Sequence, residues 1–267
     1  IILPGPPGEL APMFNESVRG FLKKYSDGAI VSHTVNIIGM GESSVAEEIE
    51  NMFDAKNPTV APYAKSGEVR LRITAKAETA DEADRMCAPV VDEICSRLGD
   101  VVYGTDMNGI EERVVALLKE KGKKIATAES CTAGYIPKRL TDIPGASEVF
   151  ECGIVSYSND IKTKLLGVSP KTFETYGAVS EQTAREMALG AKRVSGADIA
   201  ISTTGLAGPG GDGVLPGGLS FAAVTDGERT VVEKIVTGHE NDREYNRYVT
   251  ASRALNLVRL MLEEKIK

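Results

Sequence analysis

The stretch Ala126-Thr-Ala-Glu-Ser-Cys-Thr-Ala-Gly134 decides how this chain is read. Lys124 to Ala128 has the character of a buried strand, the residues after it of a turn, and Tyr135 to Leu140 of a helix. Such a junction sets a small nucleophile, Ser130 or Cys131, at a helix start, where free N–H groups can hold an anion. A second stretch, Val155-Ser-Tyr-Ser-Asn-Asp-Ile-Lys162, places Tyr157 and Lys162 five residues apart just beyond another apolar strand, Gly153 to Tyr157. Histidine is nearly absent: only His33 and His239 occur, and neither has a helpful context. A hydrolase built here has to activate Ser130 with Lys162, either directly or through Tyr157, rather than with an imidazole.

Each of these residues has an ordinary reading too. Ser130 or Thr132 can serve as a helix N-cap. Lys162 alone reads as a solvated charge at a helix start, and Tyr157 as a core residue with its hydroxyl at the surface. A catalytic lysine requires burial or neighbouring cations to lower its pKa. Cys131 is the stronger nucleophile by type, but with no histidine nearby to hold a thiolate it reads as a buried structural thiol. The run of Ser, Cys, Thr, Ala and Gly, free of bulky side chains, leaves room for a ligand against the backbone.

Outward from this centre the pattern alternates. Ile110 to Lys121, Glu181 to Val194 and Asp242 to Glu264 read as helices; Ile199 to Thr203 and Leu219 to Thr225 read as strands. The alternation predicts an α/β fold in three layers, with a mixed rather than wholly parallel sheet. The loop Ser202-Thr-Thr-Gly-Leu-Ala-Gly-Pro-Gly-Gly-Asp-Gly213 follows a strand, so its backbone can approach a phosphate or carboxylate. It matches neither a Walker motif nor a dinucleotide fingerprint. Arg243 and Arg247, one turn apart, form either a bidentate phosphate clamp or a pair of exposed helix charges.

Upstream, residues 26–104 read as a small α+β unit of order β-α-β-β-α. Its parts are a strand from Ala29 to Ile38, a helix from Val45 to Phe53 capped by Ser43 or Ser44, and a hairpin of Thr59–Ala64 with Glu68–Lys76. A helix follows, opened by the capping box Thr79-Ala-Asp-Glu82. The order resembles small modules of which some bind RNA, and Gly39-Met-Gly-Glu faintly resembles their loop, but no basic flank accompanies it. A spacer or dimer-forming module is the expectation. Gly99 to Asn108 reads as a linker. Residues 1–25 read as a strand end (Ile1 to Leu3), a rigid turn and an amphipathic helix from Glu9 to Lys24, which alone cannot bury a core. The chain begins without Met, inside a strand-like run, and is expected to continue upstream.

Composition narrows the classes. The 267 residues allow two modest domains, and 42% hydrophobic with 5% aromatic content points to aliphatic packing. A net charge of −7 argues against broad nucleic-acid binding. Four cysteines without metal or redox spacing read as reduced thiols of a cytoplasmic protein, and no apolar run is long enough to span a membrane.

Five ordered motifs carry a resemblance. Ala128-Glu-Ser-Cys-Thr-Ala-Gly134, Gly145-Ala-Ser147, Gly153 to Lys162, Gly177-Ala-Val-Ser-Glu181 and Thr204-Gly-Leu-Ala-Gly-Pro-Gly-Gly211 resemble the C-terminal domain of the CinA family, the nicotinamide-nucleotide amidase. The resemblance covers residues 108–267. Residues 26–104 resemble the family's middle linking domain, and Leu3-Pro-Gly-Pro-Pro7 with Met13-Phe14 the end of its molybdopterin-binding-like first domain.

The resemblance implies metal-independent hydrolysis of nicotinamide mononucleotide to nicotinic acid mononucleotide and ammonia, with no cofactor. It makes Ser130 the nucleophile, activated by Lys162 and Tyr157. Ser147, Thr204 and Gly205 contact the reacting group or substrate beside Cys131 and Thr132, and Arg243 binds the phosphate. A homodimer is the expected state. Two departures stand out: Ala133 occupies a position where the family has Gly, and Val214-Leu-Pro-Gly-Gly218 replaces a Lys-Pro-Val-Gly stretch. They keep a second expectation open, a catalytically weak nucleotide-binding or assembly module in competence or damage responses. The metal-dependent cleavage of ADP-ribose associated with the family's first domain is not expected of this chain.

Overall fold

Alternation of Val35 and Ile37 with polar neighbours makes the first strand, and the same logic builds one sheet after another along the chain. A computed structural model describes residues 1–25 and 27–266; the expected boundary residue Ser26 and the terminal Lys267 lie outside the described residues. Helix α1 (Pro7–Met13), a π-turn (Phe14–Val18) and α2 (Arg19–Lys23) follow one another without a buried side chain, and Ile1 to Leu3 forms no strand.

The first folded unit contains β1 (Ala29–Ile38), α3 (Glu42–Glu48), β2 (Thr59–Lys65), β3 (Glu68–Ala77), α4 (Ala80–Leu98) and β4 (Val102–Thr105). Its sheet has the order β2-β3-β1-β4, all neighbours antiparallel. Helix α4 opens at Thr79, whose hydroxyl accepts the Glu82 N–H. It then lays Cys87, Ile94 and Leu98 on Val35, Leu71 and Ile73. Two expectations are corrected. Gly41, not Ser43 or Ser44, is the N-cap of α3, which starts three residues earlier than expected. The stretch read as a linker contains β4, which completes the sheet along β1.

The second unit runs through α5 (Ile110–Glu120), β5 (Ile125–Glu129), α6 (Tyr135–Thr141), β6 (Phe150–Val155), α7 (Asn159–Ile161), α8 (Pro170–Tyr176), α9 (Glu181–Ser195), β7 (Ile199–Gly205), β8 (Leu219–Thr225), β9 (Thr230–Val236) and α10 (Arg243–Leu262). The sheet order is β6-β5-β7-β8-β9; the first three strands are parallel and the last two antiparallel, so the sheet is mixed, as expected. Strand alternation divides the core. Ile125, Ile199 and Ile201 face α5, α6 and α10, whereas Ala128 and Ala200 meet α9 and its neighbours. Side chains of that first set are each worth roughly 2 kcal/mol when buried, and the small residues let α9 approach the sheet closely.

A buried polar seam joins the units. Glu68 of β3 accepts hydrogen bonds from Tyr103 (2.9 Å) and from Ser252 of α10 (3.1 Å), and Arg139 of α6 lies 3.9 Å away. Arg139 in turn pairs with Glu111 at 2.6 Å and stacks over the Tyr248 ring. Helix α10 thus touches the first unit along its middle while its first residue, Arg243, reaches the cavity described next. Among the described residues no helix is long and apolar enough to cross a membrane.

Candidate active site

Parallel strands leave a crevice at their C-terminal edge, where a change of strand direction opens the sheet to a ligand. Here the edge is held in register one residue beyond the ladder. Ser130 N–H donates to the Thr203 carbonyl (3.0 Å), and Ser156 N–H to the Glu129 carbonyl (2.8 Å). Ser130 therefore emerges between β6 and β7. Past β6, the hydroxyl of Ser158 accepts the Ile161 N–H and starts α7, which turns Lys162 back into the protein. Only 2% of Lys162 is exposed. Its Nζ donates to Ser130 Oγ at 3.1 Å and to the Tyr157 carbonyl at 3.1 Å.

Burial sets the electrostatics. It lowers the pKa of Lys162, against a smaller opposing effect of Cys131. It pushes the Cys131 thiol up to about 12, so the sulfur beside the nucleophile stays protonated and inert. The cavity over this pair measures about 300 Å³, and its walls include Ser130, Tyr157, Lys162, Thr204, Gly205 and Arg243. Gly205 is required by space: a Cβ there would collide with Ser220 of β8. Arg243 sits at the rim and donates to the Gly208 carbonyl at 2.8 Å, which ties the glycine-rich loop to α10.

The structure separates the sequence-derived residues into those it gathers and those it does not. Ser130, Cys131, Tyr157, Lys162, Thr204, Gly205 and Arg243 line one cavity. Tyr157 meets Lys162 through its backbone, and its side chain is 64% exposed. Thr204 lends its hydroxyl to the Ala178 carbonyl (2.7 Å). Thr132 is fully buried behind the cavity, hydrogen-bonded to Thr203 at 2.6 Å. Ser147 is the clear correction. It is exposed, in a 3-10 turn before β6, at the N-terminal ends of the parallel strands and so about 16 Å of strand length from Ser130.

Three further expectations change. Ser130 caps no helix, because the N-cap of α6 is Gly134 in the left-handed region (φ 87). The amides at that helix start are taken within the protein, Ile136 N–H by the Glu129 carboxylate (3.2 Å) and Tyr135 N–H by the Thr132 carbonyl (3.2 Å), so they do not await an anion. Arg247 does not join Arg243 in a clamp; its Nη2 donates to the Thr132 carbonyl at 2.8 Å.

Sequence reasoning missed Glu129, which reads as a strand end. It also left without a role Ala178 and Val179 of the fourth motif, which line the cavity just ahead of the α9 cap, Ser180.

A small α+β module braced against a three-layer α/β domain, with a Ser–Lys pair at the C-terminal edge of its parallel strands, defines the class. The chain belongs to the CinA family: residues 107–262 match the CinA C-terminal domain and residues 32–104 the damage-inducible protein CinA KH domain. A competence-damage inducible protein of Clostridium beijerinckii is 52% identical over 244 residues, 90% of this chain and 60% of the relative. A CinA-like protein of Desulfovibrio desulfuricans is 45% identical over 261 residues, 97% of this chain and 61% of the relative. The chain thus spans about three-fifths of the curated relatives it matches.

Among solved structures, the competence/damage inducible protein CihA of Agrobacterium tumefaciens is 38% identical with a TM-score of 0.55, covering 58% of this chain and 93% of that one. A CinA superfamily protein of Escherichia coli is 32% identical with a TM-score of 0.54, covering 58% of this chain and 92% of that one.

Proposed function

We propose that the chain hydrolyses the carboxamide of nicotinamide mononucleotide to nicotinic acid mononucleotide and ammonia. The observation that carries this reading is the buried Lys162 amine 3.1 Å from Ser130 Oγ. Because burial favours the free amine, Lys162 can take the Ser130 proton as Oγ attacks the carboxamide carbon. The tetrahedral oxyanion forms beside the Cys131 N–H, the amide that follows the nucleophile in many serine hydrolases. Lys162 then returns the proton to the leaving nitrogen, ammonia departs, and an acyl ester remains on Ser130. Water, deprotonated by the same amine, opens the ester and restores the serine. Arg243 at the rim holds the phosphate, and a cavity of about 300 Å³ lies at the small end of ligand sites, suited to a mononucleotide.

The test is ammonia release from nicotinamide mononucleotide by the wild-type chain and by Ser130→Ala, each with and without chelator. Release that resists chelator and disappears in the variant is the expected result. A folded wild-type chain that binds the nucleotide yet releases nothing would replace this reading with that of a binding module.

A further inference from the structure

Ser130 is the last residue pinned to the sheet, through its N–H on the Thr203 carbonyl (3.0 Å), and the loop that follows it must be held by other means. The loop turns through two successive left-handed residues, Ala133 (φ 49) and Gly134 (φ 87), and is closed by one backbone bond, Tyr135 N–H to the Thr132 carbonyl at 3.2 Å. Two side chains grip it from opposite sides. Glu129, fully buried, accepts the Ile136 N–H on Oε2 at 3.2 Å, leaving Oε1 buried and unpartnered. Arg247 reaches in from α10, donates Nη2 to the Thr132 carbonyl at 2.8 Å, and holds its guanidinium 5.8 Å from the centre of the Tyr135 ring. One turn before it on the same helix is Arg243, at the cavity rim.

Resting on the reading of Ser130 as nucleophile, we infer that Arg247 is a positioning residue for catalysis: by holding the Thr132 carbonyl it fixes the Ser130 loop against Lys162. Arg247 is outside the cavity wall and touches the loop, not the ligand space. Its loss therefore misplaces Oγ without removing a substrate contact. A misplacement of about 1 Å costs on the order of 100-fold in rate. The guanidinium serves better than an ammonium because a flat cation can donate to a carbonyl and lie over a ring at once. Glu129 secures the other side of the same loop. Its replacement by Gln keeps the size but lets an N–H₂ face the Ile136 N–H or leaves a buried donor unpaired where Oε1 stands.

The experiment compares wild type, Arg247→Ala, Arg247→Lys and Glu129→Gln, each checked for folding by circular dichroism. Two readouts are used: ammonia release, and the rate at which a fluorophosphonate labels Ser130, followed by intact mass. Arg247→Ala is expected to lower kcat by about 100-fold with KM within about threefold, and to slow labelling in parallel. Arg247→Lys recovers part of the rate, as does guanidinium added to Arg247→Ala. Glu129→Gln slows both readouts.

An Arg247→Ala protein with wild-type kcat and labelling overturns the inference while leaving the amidase reading intact. A KM increase at constant kcat also overturns it, because Arg247 would then bind substrate. If wild type labels but releases no ammonia, the amidase reading fails alone and the labelling rates still decide the inference. A wild type inert in both assays overturns the two together. Should Arg247→Ala unfold, Arg247→Lys decides: unchanged kcat and labelling in that variant, with the ring contact and carbonyl bond weakened, count against the inference.

Discussion

Lys162 Nζ lies 3.1 Å from Ser130 Oγ, and it reaches that position from a side chain that is almost wholly buried. A cation so placed is costly, which is why burial lowers its pKa. In the unfolded chain Lys162 recovers its ordinary pKa, so between the two values unfolding takes up a proton and folding stability rises with pH. Lys162→Met is therefore expected to abolish ammonia release while raising stability near pH 7 by about 1 kcal/mol, the usual exchange of stability for function. Urea unfolding at pH 7 and pH 10 checks it. A gain that is no larger at pH 7 than at pH 10 would sink the argument.

Ala133 stands at φ 49 with its methyl in solvent, so the departure from the family's Gly crowds nothing and instead strains the backbone. An L-residue in the left-handed region costs roughly 1–2 kcal/mol, partly offset by the greater freedom of Gly in the unfolded chain. Ala133→Gly is expected to stabilise the protein by about 0.5–1 kcal/mol, with the amidase rate unchanged or raised. A denaturation midpoint equal to or below wild type would show that the turn tolerates the methyl without strain.

Much of this was legible along the chain, and the failures have physical causes. Strand β3 shows through Val69, Leu71, Ile73 and Ala75 because one face is buried and the other is not. Strand β9 was missed: it is a half-exposed edge strand whose Val231-Val-Glu-Lys-Ile235 run lacks clean alternation. Strand β4 has four residues, too short for a period to register.

At the site, residue types pointed to Ser130 and Lys162, yet nothing local distinguishes a lysine that turns inward from one that faces water. That difference is made by the Ser158 cap and the turn after it. Ser147 failed for the opposite reason. It precedes a parallel strand whose far end carries the site, so nearness in sequence became distance in space.

Glu68 is the hinge pin of the seam between units, buried to 4% exposure with Tyr103, Ser252 and Arg139 around it. Removing it leaves Arg139, itself 5% exposed, with Glu111 as its remaining carboxylate and strips Tyr103 of an acceptor. Glu68→Ala is expected to cost about 2–4 kcal/mol, because the buried Tyr103 and Ser252 hydroxyls lose their acceptor while Arg139 keeps Glu111. It should also expose the segment between β4 and α5 to limited proteolysis, yielding two fragments that each retain secondary structure. A variant that unfolds in one transition at the wild-type midpoint would show the seam to be energetically idle.

His33 of β1 bridges two carboxylates, with Nδ1 2.7 Å from Asp106 and Nε2 2.9 Å from Asp84, so both ring nitrogens favour carrying protons. The Asp106 hydrogen bond raises its pKa most, against partial desolvation, with Asp84 adding to the rise. Asp106 also accepts the Thr34 N–H at 2.7 Å and begins the passage into the second unit. A raised folded pKa means that the imidazolium contributes its full stability below the unfolded value of 6.5, and that this is lost as pH climbs through the folded value above it. The first unit is therefore expected to lose stability between about pH 6.5 and the raised folded pKa, and His33→Gln to flatten that loss. Urea midpoints at pH 5.5 and pH 8.5 provide the comparison. Equal differences between the two pH values in wild type and variant would mean that the bridge does not hold its proton more tightly folded than unfolded.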